Sequence, residues 1–311
     1  MVVLLFLCTN ERVTIMTPVS QSIVDRIQSY FPPVEKLPLT VLNRKVEHQM
    51  TPHYGLFRTD KPELESVGPA VSEGYELHTT DDICALVEAS ESVLGECADV
   101  QLGFRNGHHV SIQPDKSRRM IAYKNDSVIP RLLINATYGK TFNATIGLYR
   151  DACSNLQILR QVSGISVRIR HTSSLRLKMH DLIEDFKQIE NGVGNLQARI
   201  DQMVARKTQL AEFLASMFPE PSAGASDRTR NQHVSKIRAI AQRIMNERVA
   251  TGNPDNDINT VSAWEAFQGV QGYIQHDVRR RGKVGDFDRA IMALDDTRVK
   301  QAEVLAMELS A

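Results

Sequence analysis

Two pairs of residues have the side chains needed for catalysis or metal binding. Cys153 and His171 could act as a nucleophile and its general base. Nothing near Cys153 in the sequence would activate its thiol, so a buried structural cysteine is the better interpretation. His108 and His109 could bind a metal ion, but no third residue stands at ligand spacing, and a surface position at a hairpin tip fits them better. The sequence therefore favours a non-enzymatic protein without a cofactor or a metal.

Arginines and lysines gather where a predicted strand joins a predicted helix. Residues 165–170 alternate between apolar and polar side chains, which predicts a strand that sends Arg168 and Arg170 out of one face. A compact module would bring this strand close to the preceding hairpin, and a sheet with an arginine face suits a phosphate backbone. Further basic side chains occur at 236–248 and 279–283. The residues predicted to contact nucleic acid are Arg118, Arg119, Arg168, Arg170, Arg176 and Lys178. The alternative is that these charges only form the solvated side of the sheet.

Composition sets broad limits on function. The sequence has 37 Lys+Arg and 37 Asp+Glu residues, so its formal net charge is zero and a nucleic-acid interface has to rest on local clusters. Aromatic residues make up 6%, which argues against an extensive base-stacking surface. Four widely spaced cysteines without a C-x-x-C pair favour a reducing compartment, and no run is long enough to span a membrane. These features predict a cytoplasmic protein.

A heptad pattern follows the basic strand. From Leu175 to Met217 the apolar residues recur at alternating spacings of four and three, with Lys207 as the exception. This spacing predicts one long helix over 175–217, with a possible bend at Gly192–Gly194 because glycine weakens a helix. The seam could drive self-assembly or recruit a partner, or it could pack inside the chain against the helices predicted at 233–249 and 261–282.

The segments before the heptad predict a mixed module. Helices are predicted at 21–31, 79–94 and 144–159, and strands at 53–60 and 127–139. In the hairpin at 98–115, a three-residue loop at 105–107 places Val100 opposite Ile112 and Leu102 opposite Val110, so that the apolar side chains share a face. The fold class is α+β, with an antiparallel sheet in the N-terminal module and a helical module that contains the long heptad-patterned helix. The expected division is 1–49, 50–172 and 173–311, and the last segment from 286 onward reads as one closing helix.

Several segments together resemble a known family. The segments YGLFRTD, GYELHTTDDICALVEA, LLINATYGK, LYRDACSN, VRIRHT and AWEAFQGVQGYIQHDVRR occur in the order and spacing of the phage/plasmid-like domain of unknown function 932, over roughly residues 50–300. One departure is that Asn135–Lys140 replaces the family's Asn-Ser-His-Asp-Gly-Ser, so the histidine and the aspartate are missing. The resemblance implies a phage, a plasmid or an integrated element as the genetic context, and it implies no established activity.

Charge clusters and context together favour a nucleic-acid-binding accessory protein of a mobile element. Binding or annealing of single-stranded DNA in recombination or replication is the specific form considered, with DNA as the partner and no membrane. The alternative is a structural or interaction protein that forms a homo-oligomer through the 175–217 helix. An unrecognised enzyme with a pocket around Cys153 and His171 is the third hypothesis.

Overall fold

The computed structural model describes residues 22–42, 48–115, 119–140, 142–150, 155–157, 159, 166–169, 194–252, 257, 259–279 and 284–309. Its architecture is α+β, which confirms the predicted fold class: antiparallel sheets come first and helices follow. None of the helices in these ranges is both long enough and apolar enough to span a membrane.

A small sheet opens the described chain. Helix α1 (Ile23–Tyr30) begins at a capping box in which Ser22 and Asp25 exchange hydrogen bonds, and it ends before a proline pair. Strand β1 (Val34–Leu42) then pairs antiparallel with β2 (His48–Arg58), and β2 also pairs with the short strands β3 (Glu65–Ser66) and β4 (Val71–Ser72). Helix α2 (Thr80–Leu94) leads from this sheet to the next.

A seven-stranded antiparallel sheet forms the centre of the molecule. Its main strand order is β10-β9-β8-β6-β5, while β11 pairs with β9 and β7 pairs with β8. The strands are β5 (Cys97–Phe104), β6 (Gly107–Pro114), β7 (Met120–Tyr123), β8 (Asp126–Thr137), β9 (Phe142–Arg150), β10 (Asn155–Gln157) and β11 (Ser166–Ile169).

The β5–β6 hairpin has the register that parity predicts. Val100 stands opposite Ile112 and Leu102 opposite Val110. Its loop contains Asn106 with φ 54°, the left-handed region that asparagine tolerates. Gly107 follows with φ 145°, and a Cβ added there would lie 2.1 Å from the Ala136 carbonyl oxygen. The loop therefore requires glycine at position 107 for conformational and steric reasons.

The two faces of the large sheet differ in chemistry. One face carries the main hydrophobic core, with Val110, Leu132 and Ile146 fully or almost fully buried. The other face is more polar and includes a buried arginine, Arg131, which bonds to Ser111 and Asp99. Helix α7 (Asp286–Leu294) packs onto this second face through Ile291, which clusters with Leu133.

The helical region surrounds a buried central helix. All ten residues of α6 (Ala263–Gly272) are buried, and its last turn continues as a π-helical turn at Tyr273–Asp277. The long helix α5 (Asp227–Thr251) and α8 (Thr297–Glu308) pack against α6. The hydrophobic core combines residues from all three segments that the sequence predicts, and the segment boundaries themselves stay predictions.

The helix predicted at 144–159 is wrong in its described part. Residues 142–150 form β9, and residues 155–157 form β10. The helical interpretation arose because apolar residues occur at both parities, whereas β9 is covered on both sides: Ile146 belongs to the main core, and Tyr149 packs beside α7. A strand that is buried on both faces loses the alternation that identifies strands.

The single helix predicted over 175–217 is also wrong. Helix α3, described over 194–205, ends before strand β12 (Lys207–Gln209), and α4 (Leu210–Met217) is a separate helix. Strand β12 pairs with β13 (Thr260–Ser262), so the backbone at 206–210 forms hydrogen bonds across to the neighbouring strand. Residues 175–193 lie outside the described residues. The predicted closing helix likewise divides into α7 and α8, because Asp296 caps a new helix.

Apolar heptad positions in the described segment serve the core of this chain. Leu196, Ile200 and Met203 on α3 and Leu214 and Met217 on α4 are all buried. The heptad spacing therefore reflects two helices that bury separate stripes in the same core. Over 194–217 the burial of these positions is therefore explained by packing within the chain.

Candidate nucleic-acid interface

The structure places only some of the residues that the sequence predicts to contact nucleic acid. Arg119 is exposed just before β7, and its guanidinium donates to the Ser127 hydroxyl at 3.2 Å. The backbone of Arg168 lies in β11, opposite Asn143 of β9. Arg118, Arg170, Arg176 and Lys178 lie outside the described residues.

The two placed arginines belong to strands at different ends of the sheet. Strand β7 pairs with β8 at Val128, whereas the β9 partner of Arg168 pairs with β8 at Asn135. Seven residues of extended chain separate these two β8 positions, which corresponds to about 23 Å. The structure therefore does not bring the backbone positions of Arg119 and Arg168 together.

A basic groove lies elsewhere, between the N-terminal half of α5 and the segment that follows α6. Its volume is about 890 Å³, and it is open to solvent. Its cations are Arg228 and Lys236 on α5 and Arg279 beyond the π-helical turn. The other lining residues are Asn231, Gln232, Ser235, Ala239 and Tyr273.

The packing of α5 fixes which side chains face this groove. Ser226 caps the helix by accepting a hydrogen bond from the Thr229 amide at 3.2 Å. Ile240 and Ile244 are buried on the side that packs against α6. Arg228 and Ser235 belong to a different stripe, because residues seven apart share a helix face. Because one face of α5 is apolar and packs against α6, the polar stripe with Arg228 and Ser235 lines the groove.

The groove cations have no carboxylate partner among the residues that the structure describes. Arg228 and Arg279 are exposed and form no ion pair with any residue of the described ranges. Burial lowers the pKa of Lys236, and the nearby Arg298 guanidinium lowers it further. The Lys236 ammonium also lies 4.5 Å from the centre of the Phe218 ring. Cations held near one another without a carboxylate form a site for an anion.

Neighbouring arginines are already occupied by carboxylates. Arg298 forms an ion pair with Asp296 at 2.8 Å, and Arg243 pairs with Asp277 at 3.0 Å. Asp277 lies two residues before Arg279, and Arg298 lies near Lys236 in space, but neither Asp277 nor Asp296 is among the described lining residues of the groove. A phosphate in the groove would therefore meet Arg228, Lys236 and Arg279 before any of the paired arginines.

Two of the three groove cations lie in segments that the sequence marks as basic, but neither is among the residues predicted to contact nucleic acid. Lys236 and Arg279 belong to the basic segments at 236–248 and 279–283, whereas Arg228 falls in a segment, 219–232, that the composition assigns to a flexible link. The local sign that Arg228 lies in a helix is Ser226, a residue type that caps helix N-termini. A helix that begins there places positions 228 and 235 on one face. That signal locates the helix but does not show that Arg279 folds against it.

Of the two residue pairs that could be catalytic or metal-binding, the structure describes only one. Cys153 and His171 lie outside the described residues. His108 and His109 are successive residues of β6, so they face opposite sides of the sheet and cannot chelate one ion. Both are buried, so the surface position predicted for them at the hairpin tip is wrong. Within the described ranges, no three His, Cys, Asp or Glu residues come close enough together to hold a metal ion.

The fold and the groove define an α+β protein with an antiparallel sheet and a basic surface on its helical region. A family model described as Domain of unknown function (DUF932) matches residues 69–303. The chain belongs to this family. No curated protein and no solved structure matches it.

Proposed function

We propose that the protein is a non-enzymatic nucleic-acid-binding accessory protein of a phage, plasmid or integrated element, and that it binds single-stranded DNA in recombination or replication. The observation that carries the proposal is the groove lined by Arg228, Lys236 and Arg279, with no carboxylate among its described lining residues. The mobile-element context rests on the family resemblance of the sequence.

Groove chemistry matches the needs of a single strand. Three cations can follow the phosphates, and the amide and hydroxyl groups of Asn231, Gln232 and Ser235 can bond to phosphate or sugar oxygens. Tyr273 is the aromatic side chain of the lining, and an aromatic ring offers a stacking surface to an unpaired base. Duplex bases are already stacked on each other, so Tyr273 would favour single-stranded DNA.

The test is a binding titration against single- and double-stranded oligonucleotides at several salt concentrations. The logarithm of the binding constant should fall linearly with the logarithm of the salt concentration, because phosphate contacts release counterions. Arg228→Gln combined with Arg279→Gln removes two contacts. This change should reduce the slope for single strands by about 1.4, since each contact contributes about 0.7.

A matched control removes one charge outside the groove. Lys61 is exposed in the segment between β2 and β3, and Lys61→Gln should leave affinity and salt slope unchanged. Tyr273→Leu should weaken single-strand binding by about 1–3 kcal/mol while leaving duplex binding nearly unchanged. Absence of salt-dependent binding by the unmodified protein at low ionic strength would show the proposal to be wrong.

A further inference from the structure

A second concavity, the α4 pocket, lies between α4 and the N-terminal half of α5. Its volume is about 490 Å³. Six of its ten described lining residues are apolar, and the other four are two amides, a histidine and a glutamate. The apolar ones are Leu210, Ala211, Leu214, Ala215, Phe218 and Ile237. Sites for organic ligands have this size and this combination of a mainly apolar lining with a few polar groups.

Helix α4 provides the apolar floor of the pocket. Leu210, Leu214 and Phe218 recur every four residues, so they lie along one side of the helix and its end. Leu214 and Phe218 are buried, whereas Ala211 and Ala215 beside them are exposed. Each alanine carries only a methyl group, which leaves the space above the floor open. A ligand can therefore enter the α4 pocket from solvent.

Polar groups surround the pocket where a ligand can reach them. Gln209, Glu220 and Asn259 are exposed, and His233 is partly exposed. The amides offer donors and acceptors, whereas a carboxylate only accepts. The edges of nucleic-acid bases carry a complementary mixture of donors and acceptors. The Glu220 carboxylate repels phosphate, so the pocket suits the uncharged base of a nucleotide.

The α4 pocket and the α5 groove share a wall. Nζ of Lys236, a groove residue, lies 4.5 Å from the centre of the Phe218 ring, which lines the pocket. On α5, Gln232 and Lys236 line the groove, and the next residue after each, His233 and Ile237, lines the pocket. Neighbouring faces of one helix thus bound the two concavities. A phosphate held by Lys236 would stand beside the pocket.

Charge divides the two concavities by function. The groove contributes Arg228, Lys236 and Arg279, whereas the described lining of the pocket contains Glu220 and neither a lysine nor an arginine. A single strand uses both surfaces, because its phosphates are anionic and its unpaired bases are flat and largely apolar. The apolar side chain of a protein partner would fill the pocket but would leave the adjacent cations unused.

We propose that the α4 pocket receives one unpaired base of the strand whose phosphates lie in the α5 groove. This inference rests on the proposed function. The base leaves the stack of its neighbours, packs against Leu210 and Ile237, and bonds to the surrounding amides through its edge. Tyr273 lines the groove and not the pocket, so it contacts a different base. The strand therefore has two distinct base positions on the protein.

The experiment is a binding titration of the full chain with a hexathymidylate in which one abasic site replaces each base in turn. The short strand limits the number of binding registers. Removal of the base that occupies the pocket should weaken binding at least about fivefold, which corresponds to about 1 kcal/mol. A second sensitive position should belong to Tyr273 and should disappear in Tyr273→Leu.

Three variants connect the other sensitive position to the pocket. Ala215→Leu covers the floor with a larger side chain that helices accept equally well. It should weaken the intact strand at least about fivefold, abolish the sensitivity to the abasic site, and leave the salt slope unchanged because the phosphate contacts remain. Ala211→Leu, one turn earlier, should do the same and replaces the first variant if that one melts at a lower temperature. Ser216→Leu, exposed on α4 but outside the lining, should change none of these values.

The outcomes separate this inference from the proposed function. If the one position that depends on Tyr273 is the only sensitive one, or if Ala215→Leu behaves like Ser216→Leu, the pocket takes no base, while salt-dependent binding still supports the groove. A lower salt slope in Ala215→Leu would show that phosphate and not a base contacts the pocket, which also overturns the inference. If the unmodified protein shows no salt-dependent binding of single strands, the proposed function fails and the inference fails with it.

Discussion

Trp264 Nε1 donates a 2.9 Å hydrogen bond to Oδ2 of Asp126, across 138 positions of the sequence. Asp126 begins β8, and Trp264 lies in the first turn of α6. The same carboxylate also accepts from the Arg150 guanidinium, with Nη2 at 2.8 Å. All three side chains are buried, so one carboxylate joins two strands of the large sheet to the central helix.

Removal of this carboxylate should be costly. Asp126→Ala removes the carboxylate that pairs with the buried Arg150 charge, and we expect a loss of about 3–5 kcal/mol in the free energy of unfolding. Trp264→Phe removes only one donor and should cost about 1–3 kcal/mol. Urea denaturation measures both. Asp277→Ala breaks the more exposed pair with Arg243 and should cost at most about 1 kcal/mol. A cost for Asp126→Ala no larger than that of Asp277→Ala would contradict the role of the buried carboxylate.

Features decided by local sequence were predicted correctly. The β5–β6 register follows from the alternation of Val100 and Leu102 and from a loop that contains Gly107, all within a few residues of one another. The β9 strand was missed because its environment is not local: the core covers one face and α7 covers the other. Burial on both faces removes the period of two from the sequence.

The heptad at 194–217 illustrates the same limit. Helical spacing correctly identifies Ile200 and Leu214 as buried, but it cannot show that Lys207–Gln209 pairs with Thr260–Ser262, more than 50 residues later. Lys207, the one polar position of the heptad, was the only local sign of a break. Pairing between distant strands depends on tertiary structure, which outweighs helical periodicity here.

The divided heptad leads to a stability prediction. Ile200 is fully buried inside the chain, so Ile200→Ala should cost about 2–5 kcal/mol in the free energy of unfolding. The midpoint of urea unfolding should not depend on protein concentration, because the contacts of Ile200 are within one chain. A midpoint that rises with concentration would instead indicate a seam between subunits. Val304→Ala, at a partly exposed apolar position on α8, is the control and should cost much less.

Close approach of α5 and α6 depends on Gly269. A Cβ added there would lie 2.1 Å from Cγ1 of Ile244, so Gly269→Ala should destabilise the protein by about 1–3 kcal/mol despite the higher helix propensity of alanine. Ile244→Ala in the same chain should relieve the clash, so the two costs should be less than additive. Gly194 has no atom near the position of an added Cβ, and Gly194→Ala should be neutral or stabilising. Thermal and urea unfolding measure these changes, and additive costs would contradict the contact.

His108 makes stability sensitive to acid. Burial lowers its pKa to about 3, whereas in the unfolded chain it titrates near about 6.5. Between these values the unfolded state binds the extra proton, so the contribution is complete above about pH 6.5 and is lost as the pH falls towards 3. At pH 5 the loss should be about 2 kcal/mol relative to neutral pH.

The measurement is the free energy of unfolding at pH 7 and pH 5 in His108→Phe and in the unmodified protein. The substitution removes the titrating group from a cluster that includes Phe31 and Tyr138, so the difference between the two pH values should shrink. His109, whose pKa burial also lowers, leaves a residual dependence. His53→Gln, at an exposed position, should preserve the full difference. An unchanged difference in His108→Phe would show that His108 is not the group that titrates.

Charge clusters on separate segments were visible in the sequence, but the way they combine was not. The groove unites Arg228 with Arg279, and this pairing depends on how the chain returns to α5 after α6. The sequence selected Arg168 and Arg170 because two arginines on one strand share a face by geometry alone. The local pattern therefore predicted an interface on the sheet, whereas the folded chain also forms a basic surface at the α5 groove.

A direct comparison of these two surfaces is the last prediction. If both side chains point into solvent, as the sequence-based hypothesis expects, Arg168→Ala with Arg170→Ala should leave the melting temperature nearly unchanged, because exposed substitutions have small effects. The sequence-based hypothesis expects this pair to weaken DNA binding uniformly across sequences and to reduce the duplex salt slope by about 1.8. Arg228→Gln with Arg279→Gln should lower the slope by a similar amount, and all four changes together should be additive if both surfaces contact phosphates. If the Arg168/Arg170 variant keeps the salt slope of the unmodified protein, the α5 groove remains as the interface. If that variant unfolds, the two arginines are structural ion-pair partners.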